Sequence, residues 1–120
     1  MKRHLIISTS IDLVRIAPDK IVYISSDGNY STIVQTDGET RTLTLQLGQV
    51  EKLIYSQLGK DGEIFFRLGK SFIINFSYIY YINPSRQKLT LSDAASFSYS
   101  ISASKEALKK IKEIIEKEAK

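Results

Sequence analysis

The residues of this chain best suited to bind an anion form a short corner, Gly69-Lys70-Ser71, between two apolar segments. An ammonium group and a hydroxyl group can both meet phosphate oxygens or base edges, and a glycine allows close approach of the backbone. Between positions 64 and 92 there is no Asp or Glu, although four cationic residues are present: Arg67, Lys70, Arg86 and Lys88. An acid-free basic segment of this kind indicates a polyanionic partner.

Two further segments offer the same chemistry, Gly28-Asn29-Tyr30-Ser31 and Ser102-Ala103-Ser104-Lys105. Both combine small residues with amide, hydroxyl or ammonium groups, and the second precedes a predicted helix whose free N–H groups can accept an anion. The alternative interpretation is that Gly28 and Asn29 only form a turn, that Ser104 only caps the helix, and that Lys70 is a solvated charge. The residue types alone favour neither interpretation.

Residues for catalysis or metal binding are sparse. The one histidine, His4, stands near the N-terminus, and the sequence contains no cysteine. Four aspartates fall in predicted turns, where the hydrogen bonds of an Asp side chain to nearby backbone explain their presence: Asp27, Asp37, Asp61 and Asp93. The spacing of a calcium loop or a complete phosphate loop is also missing. We therefore predict no catalytic residue, no metal site, no cofactor and no small-molecule substrate.

The aromatic residues are concentrated, since seven of the twelve Phe and Tyr residues lie between positions 65 and 81. Exposed aromatic side chains on strands could stack the bases of a single-stranded RNA. Most of these residues alternate or cluster with Ile and Leu, which favours packing in a core. We expect Tyr30, beside a predicted hairpin turn, to be the most exposed.

The elements that position these segments are mostly short strands. In the first half, strands are predicted at residues 11–16, 21–25, 30–36 and 40–43, with hairpin turns at Asp27-Gly28-Asn29 and Asp37-Gly38. An amphipathic helix follows a Thr44 N-cap and ends at Gly59. Its apolar stripe has three- and four-residue spacing: Leu47, Val50, Leu53, Ile54 and Leu58.

The second half continues the pattern, with strands predicted at residues 65–68, 72–75, 76–82, 87–92 and 96–101. A final helix begins after Ser104 as N-cap. The sequence thus predicts a mainly β protein with two short helices, one in the middle and one at the C-terminus.

The length of 120 residues suits one domain. We assign residues 1–10 to an N-terminal extension that contains a short strand, and residues 11–120 to a single domain. The apolar run at residues 5–7 is too short to span a membrane, and the absence of cysteine fits a reducing compartment. We predict a cytoplasmic location and no membrane partner.

From residue 11 onward the arrangement of motifs resembles the LytTR family of bacterial DNA-binding domains. The most specific match runs from Phe65 to Asn75, which follows the family pattern Phe-x-Arg-x-His-Arg/Lys-Ser-x-x-Val/Ile-Asn at the same spacing. The other matching residues precede it: Ile21, Tyr23 and Ile24, then Gly28-Asn29-Tyr30, Asp37-Gly38, and Leu47 with Val50.

The resemblance implies an elongated stack of small antiparallel sheets that docks on one face of a DNA duplex and inserts loops into successive major grooves. It also implies the output domain of a bacterial response regulator in a two-component system. The implied DNA-binding residues are Asn29, Tyr30, Ser31, Arg67, Gly69, Lys70, Ser71, Ser102, Ser104 and Lys105. Lys70 and Lys105 would contact phosphates or guanine edges, and Arg67 would either support the corner or reach the DNA backbone.

Two positions depart from the family pattern. Gly69 stands where the family usually has His, and Ala103 stands where it often has Arg. Each change removes a side chain that could donate to a base or phosphate, and a good base contact contributes about 1–3 kcal/mol of discrimination. Base recognition is therefore expected to be altered or weakened.

These observations lead to one main hypothesis, a sequence-specific, double-stranded DNA-binding transcription regulator. A second copy of the chain would be needed on DNA that carries repeated half-sites. One alternative is a non-catalytic protein-interaction module of the same fold with weakened DNA contacts, suggested by Gly69 and Ala103. A third hypothesis is single-stranded RNA binding by the aromatic sheet.

Overall fold

A computed structural model describes residues 3–119 of the chain. The strands in this part are β1 (Leu5–Ser8), β2 (Leu13–Ile16), β3 (Ile21–Asp27), β4 (Tyr30–Gln35), β5 (Thr40–Leu43), β6 (Phe65–Leu68), β7 (Phe72–Asn75), β8 (Ile79–Asn83), β9 (Lys88–Ser92) and β10 (Ser98–Ser102). The α-helices are α1 (Leu47–Leu58) and α2 (Lys105–Glu118), and short 3-10 segments cover Pro18–Lys20, Gly59–Ile64 and Phe76–Tyr78. This mainly β architecture with two helices confirms the predicted fold class. No helix within residues 3–119 is long and apolar enough to cross a membrane.

The chain divides into two compact units, one up to Ser77 and one from Tyr78. The first unit contains a five-stranded antiparallel sheet in the order β5-β4-β3-β7-β6. Strands β3, β4 and β5 form the predicted meander, and β6 and β7 have the predicted bounds. The second hairpin joins the first through β3 and β7, where Ile24 lies opposite Ile73.

The core of the first unit is aliphatic. One face of α1 buries Leu47, Val50, Ile54 and Leu58, which lie in the predicted apolar stripe. They pack in one cluster with residues of the five-stranded sheet and of the β1–β2 pair: Leu5, Ile7, Ile16, Ile21, Ile24, Ile33, Leu43 and Ile73. Burial of one such side chain contributes about 1.5–3 kcal/mol, so this cluster is the main source of stability for the helix and its sheet.

The start of α1 differs from the prediction. The helix begins at Leu47 rather than directly after Thr44, and Gln46 is its N-cap. The backbone N–H of Gln46 donates to Oε1 of Gln49 at 2.9 Å, which satisfies one of the free groups at this end. The Thr44 N-cap prediction was wrong because a Gln pair performs this role two residues later.

Strands β1 and β2 form a two-stranded sheet at the N-terminal end of the first unit. The outer edge of β1 is paired by a side chain: Oε1 of Gln57 accepts from Ile6 N at 2.8 Å, and Nε2 of Gln57 donates to Ile6 O at 2.7 Å. Strand β2 begins at Leu13 instead of residue 11. Its start is delayed because Oγ1 of Thr9 accepts from the N–H groups of Ile11 and Asp12, which holds them in the preceding turn.

Asn75 ends β7 and is one of the buried polar residues, with only 1% of its surface exposed. Its Nδ2 donates to Ile21 O at 2.9 Å, and its Oδ1 accepts from Ser77 N at 2.9 Å. The second bond stabilises a 3-10 turn, so the continuous strand predicted for residues 76–82 was wrong in its first three residues. Asn75 is therefore a structural residue of the motif.

The second unit contains a three-stranded antiparallel sheet in the order β10-β9-β8 and helix α2. Its buried aliphatic residues come from both parts: Leu89, Leu91, Ile101, Leu108 and Ile111. Oγ of Ser104 accepts from Ala107 N at 3.1 Å, which confirms the predicted N-cap of α2.

The connection between β9 and β10 is organised by the carboxylate of Asp93. It accepts from the N–H groups of Ala95, Ser96 and Phe97 and from the hydroxyl of Ser96. These bonds, the hydroxyl of Ser96 first, hold the pKa of Asp93 below its usual range. At pH values above the ordinary carboxyl pKa, the ionised Asp93 therefore stabilises the turn. This stabilisation is lost as the pH falls toward the lowered pKa of Asp93. Because Ser96 and Phe97 belong to the turn, β10 begins at Ser98 rather than at residue 96.

The buried amide of Asn75 gives a first prediction. Replacement by Ala removes the hydrogen bonds that the Asn75 side chain makes to the Ile21 carbonyl and to the Ser77 N–H. The free energy of unfolding should therefore fall by about 2–3 kcal/mol. Urea denaturation measures this change. Asn83→Ala is the matched control. The amide of Asn83 donates to Tyr81 Oη and accepts from Arg86 N, and both bonds are exposed, so water can replace the amide. This substitution should lower the free energy of unfolding by less than about 1 kcal/mol. Equal losses in the two variants would contradict this role of Asn75.

Ala94 gives a second prediction, since it has a φ of +63°. A left-handed conformation costs an L-residue roughly 1–2 kcal/mol, and glycine avoids this cost although it loses more chain entropy on folding. Ala94→Gly should therefore raise the free energy of unfolding by about 0.5–1 kcal/mol in urea denaturation. Ala95→Gly in the same turn lacks this benefit and should not stabilise. The explanation fails if both variants change stability in the same direction.

Candidate nucleic-acid interface

Two of the three predicted segments meet at one end of the five-stranded sheet. β3 and β7 are antiparallel, with Ser25 opposite Phe72, so the turn after β3 and the corner before β7 lie at the same end. The N–H of Ser26 donates to the carbonyl oxygen of Ser71 at 2.8 Å, which extends this pairing into the corner. We call this region the hairpin end, defined by residues 28–30 and 69–71.

The first loop of the hairpin end is a two-residue turn between Asp27 and Tyr30, which are opposite each other in the β3–β4 pairing. Gly28 has a φ of +63°, the left-handed conformation that a tight hairpin turn requires. Asn29 is exposed, and its Oδ1 accepts from Nε2 of Gln46 at 3.1 Å. This bond connects the turn to the N-cap of α1, so the start of the helix also lies at the hairpin end.

Ser31 is not available at this surface. It is completely buried, and its Oγ donates to the carbonyl oxygen of Leu45 at 2.7 Å. This bond ties β4 to the segment that precedes α1. Because side chains alternate along a strand, Ser31 points to the same side as the buried Ile33, and this two-residue period was the sequence signal for its burial. We therefore leave Ser31 out of the candidate interface.

The second loop is the corner that connects Leu68 and Phe72, which are opposite each other in the β6–β7 pairing. Gly69 has a φ of +62°, yet a Cβ atom placed there would meet nothing within 4 Å. Backbone conformation, not lack of space, therefore favours glycine at this position. Lys70 and Ser71 are both exposed, and Lys70 makes no ion pair with any residue of the described part of the chain.

Arg67 supports this corner. Its Nε donates to the carbonyl oxygen of Gly69 at 3.0 Å, and its Nη1 forms an ion pair with Oε1 of Glu51 at 2.8 Å. The side chain of Arg67 is 30% exposed and that of Glu51 is 49% exposed, so the pair contributes about 1 kcal/mol or less. Sequence reasoning missed Glu51, because an acidic residue on the outer face of a helix usually has only solvent as its partner.

The third predicted segment belongs to the second unit. Ser102, Ser104 and Lys105 are all exposed, and they cover the end of β10 and the start of α2. The N–H of Ala103 donates to the carbonyl oxygen of Gln87 at 3.3 Å, which attaches this segment to its own sheet. It therefore presents hydroxyl and ammonium groups beside free N–H groups of a helix N-terminus.

Most aromatic rings pack against each other instead of forming an open platform. Tyr23 and Phe72 have ring centroids 6.0 Å apart in an edge arrangement, and Tyr78 and Phe97 have centroids 5.1 Å apart. Tyr30 is 49% exposed, but it is not the most exposed ring, because Tyr55 reaches 80% and Tyr80 reaches 66%. The expectation for Tyr30 was wrong because Tyr55 lies on the outer face of α1 and Tyr80 at an irregularity of the edge strand β8.

The charges at the hairpin end are mixed. Lys70 is exposed in the corner, while Asp27 is exposed beside the first turn. Within residues 3–119, no three His, Cys, Asp or Glu residues lie together in an arrangement that could hold a metal ion. Besides the carboxylate of Asp27, the groups at this surface are amide, hydroxyl and ammonium groups and backbone N–H groups, the set that contacts phosphates and base edges.

Comparison with known proteins gives the same assignment as the motifs. Residues 12–116 match the family described as the LytTr DNA-binding domain. No curated protein matches the chain. Among solved structures, one similar chain is described as the LytTr DNA-binding domain of a methyl-accepting/DNA response regulator from Bacillus cereus; it is 20% identical, has a TM-score of 0.61, and the match covers 96% of this chain and 98% of that one. At this identity the similarity shows a common fold, and the family match extends over most of the sequence. The chain belongs to the LytTR family of DNA-binding domains.

Proposed function

We propose that this protein is a sequence-specific transcription regulator that binds double-stranded DNA, and that the hairpin end enters a major groove. The observation that carries this proposal is the bond between Ser26 and Ser71, which fixes the two loops side by side on one rigid sheet. A site built on strands holds its groups more precisely than a site on long loops. Membership of a DNA-binding family supports the same partner.

Each exposed group of the hairpin end has a distinct role in the proposal. Lys70 contacts a phosphate or a guanine edge, and the hydroxyl of Ser71 donates to a phosphate oxygen. Oδ1 of Asn29 accepts from Gln46, so Nδ2 of Asn29 is the group that donates to an acceptor on the DNA. Gly69 lets the backbone approach closely, and Arg67 holds the corner through the carbonyl oxygen of Gly69.

The segment of the second unit makes a separate contact in this proposal. Lys105 meets a phosphate, Ser102 and Ser104 donate hydroxyl groups, and the N-terminus of α2 faces the anionic backbone. A cytoplasmic location follows from a chromosomal target, and DNA with repeated half-sites would bind one copy of the chain at each of them. The role as the output domain of a bacterial response regulator, part of a two-component system, belongs to the same proposal.

Selection from a pool of random duplexes tests this function most broadly. We expect a defined duplex sequence to be enriched. The affinity of the protein for this duplex should fall as the salt concentration rises, and a plot of log affinity against log salt should have a slope of about −0.9 for each phosphate that the protein neutralises. Single strands of the same sequence should bind more weakly. Absence of enrichment together with a stable protein partner would favour the interaction module, and preference for single-stranded RNA would favour the third hypothesis.

Substitution of Lys70 gives a sharper prediction. If Lys70 neutralises a phosphate, Lys70→Ala should weaken binding to every duplex and should reduce the salt slope by about 1. If it reads a guanine instead, the substitution should relax the preference at one base pair. The measurement is fluorescence anisotropy at several salt concentrations, with wild type and variant on the selected and on scrambled duplexes.

Lys20→Ala is the matched control for this substitution. Lys20 is exposed in the same unit but precedes the start of β3, so it lies at the opposite end of the sheet from Lys70. Its replacement changes the net charge equally and should leave the salt slope and the base preference unchanged. The same effect for both variants would exclude a specific contact by Lys70.

A further inference from the structure

The first unit contains an open cavity of about 590 Å³ that is separate from the hairpin loops. It lies between α1, the 3-10 segment that follows it, and strands β6 and β7. Its apolar lining includes Ile54, Phe65 and Ile73, and Tyr55 also contributes. Pockets for small ligands commonly measure about 300–1,000 Å³ and combine an apolar lining with few polar groups.

Tyr55 is the most exposed aromatic residue of the described part of the chain, with 80% of its surface in contact with solvent. It lines this cavity and also a smaller depression of about 390 Å³ that includes Gly48. A Cβ atom on Gly48 would meet nothing within 4 Å, so the surface at Gly48 is open. The exposed ring of Tyr55 is available, among the residues that line the cavity, to pack against an apolar ligand.

The polar lining of the cavity carries both signs of charge. Lys60 and Glu63 offset each other, and the other two charged residues are the ion pair of Arg67 and Glu51. Of the five N–H donors of a guanidinium group, Arg67 directs Nε to Gly69 and one donor of Nη1 to Glu51. The remaining donors, on a side chain that is 30% exposed, are open to an anionic group in the cavity.

We propose that this cavity binds an apolar small molecule that carries a carboxylate. The apolar part packs on Ile54 and Phe65 beneath Tyr55, and the carboxylate pairs with Arg67, where it competes with the carboxylate of Glu51. A planar guanidinium group binds a carboxylate through two parallel hydrogen bonds, which is why the ligand class is an acid and not an alcohol or an amine. The binding itself does not depend on the proposed DNA function.

This site communicates with the hairpin end through one side chain. Arg67 also donates to the carbonyl oxygen of Gly69, so a ligand that moves the guanidinium group changes the conformation of the corner. The N–H of Lys70 belongs to the same peptide group as the carbonyl of Gly69, so the NMR chemical shift of this N–H should report the change. Regulation of DNA affinity through this contact rests on the proposed function, whereas ligand binding and the response of Lys70 do not.

The test is a titration of the isotope-labelled chain with 2-naphthoate, followed by two-dimensional NMR of the backbone amides. We expect saturable shifts at Tyr55, at Phe65 and at the N–H of Lys70. The neutral analogue 2-naphthalenemethanol should bind about tenfold more weakly, because it lacks the charge-assisted hydrogen bonds to Arg67. Absence of saturable shifts at the cavity, or equal affinity for the acid and the alcohol, would overturn the proposal.

Two variants separate the proposed contact from general effects on folding. Glu51→Gln removes the competing carboxylate and should increase the affinity for naphthoate several-fold, a gain that a misfolded protein would not produce. Arg67→Gln should abolish the preference for the acid over the alcohol. Arg41→Gln, on the opposite edge strand β5, is the control and should leave both affinities unchanged. A decrease for Glu51→Gln, or an equal effect of the two Arg substitutions, would contradict the assigned roles.

Discussion

The pairing of β3 with β7 is the contact on which this structure depends. It joins residues that are about fifty positions apart in the sequence, such as Ile24 and Ile73, and it unites two hairpins into one sheet. Asn75 reinforces the pairing from the far end by donating to the Ile21 carbonyl, while Ser26 and Ser71 extend it at the near end. Without this pairing, the turn at Gly28 and the corner at Gly69 would be separate surface loops with no defined spacing.

The corner itself is supported from behind, which leaves its front for a partner. Arg67 holds the Gly69 carbonyl and is held in turn by Glu51 on α1, so the basic residue that precedes the corner has a structural role in the free protein. Lys70 and Ser71 remain exposed. The same ion pair forms part of the lining of the cavity, so one side chain, Arg67, contributes to both the corner and the cavity.

The sequence was sufficient to predict strands β6 and β7, the hairpins and the Ser104 cap, because local turn chemistry and short-range periodicity determine them. It did not predict the features that depend on distant residues. Ser31 was assigned to the surface although Leu45 accepts its hydroxyl hydrogen, and the start of α1 was misplaced because Gln46 and Gln49 cap it. The pairing of Gln57 with the edge of β1 and of Glu51 with Arg67 could not be deduced, because each requires the folded positions of two separate elements.

The central claim is that DNA meets the hairpin end. The most direct measurement is an NMR titration of the labelled chain with the duplex obtained by selection, since backbone amides report contact at each residue. The account predicts the largest shifts at residues 28–30 and 69–71, with a second group at residues 102–105, and little change on the outer face of α1 around Tyr55. Shifts concentrated around Tyr55, with residues 28–30 and 69–71 unperturbed, would contradict it.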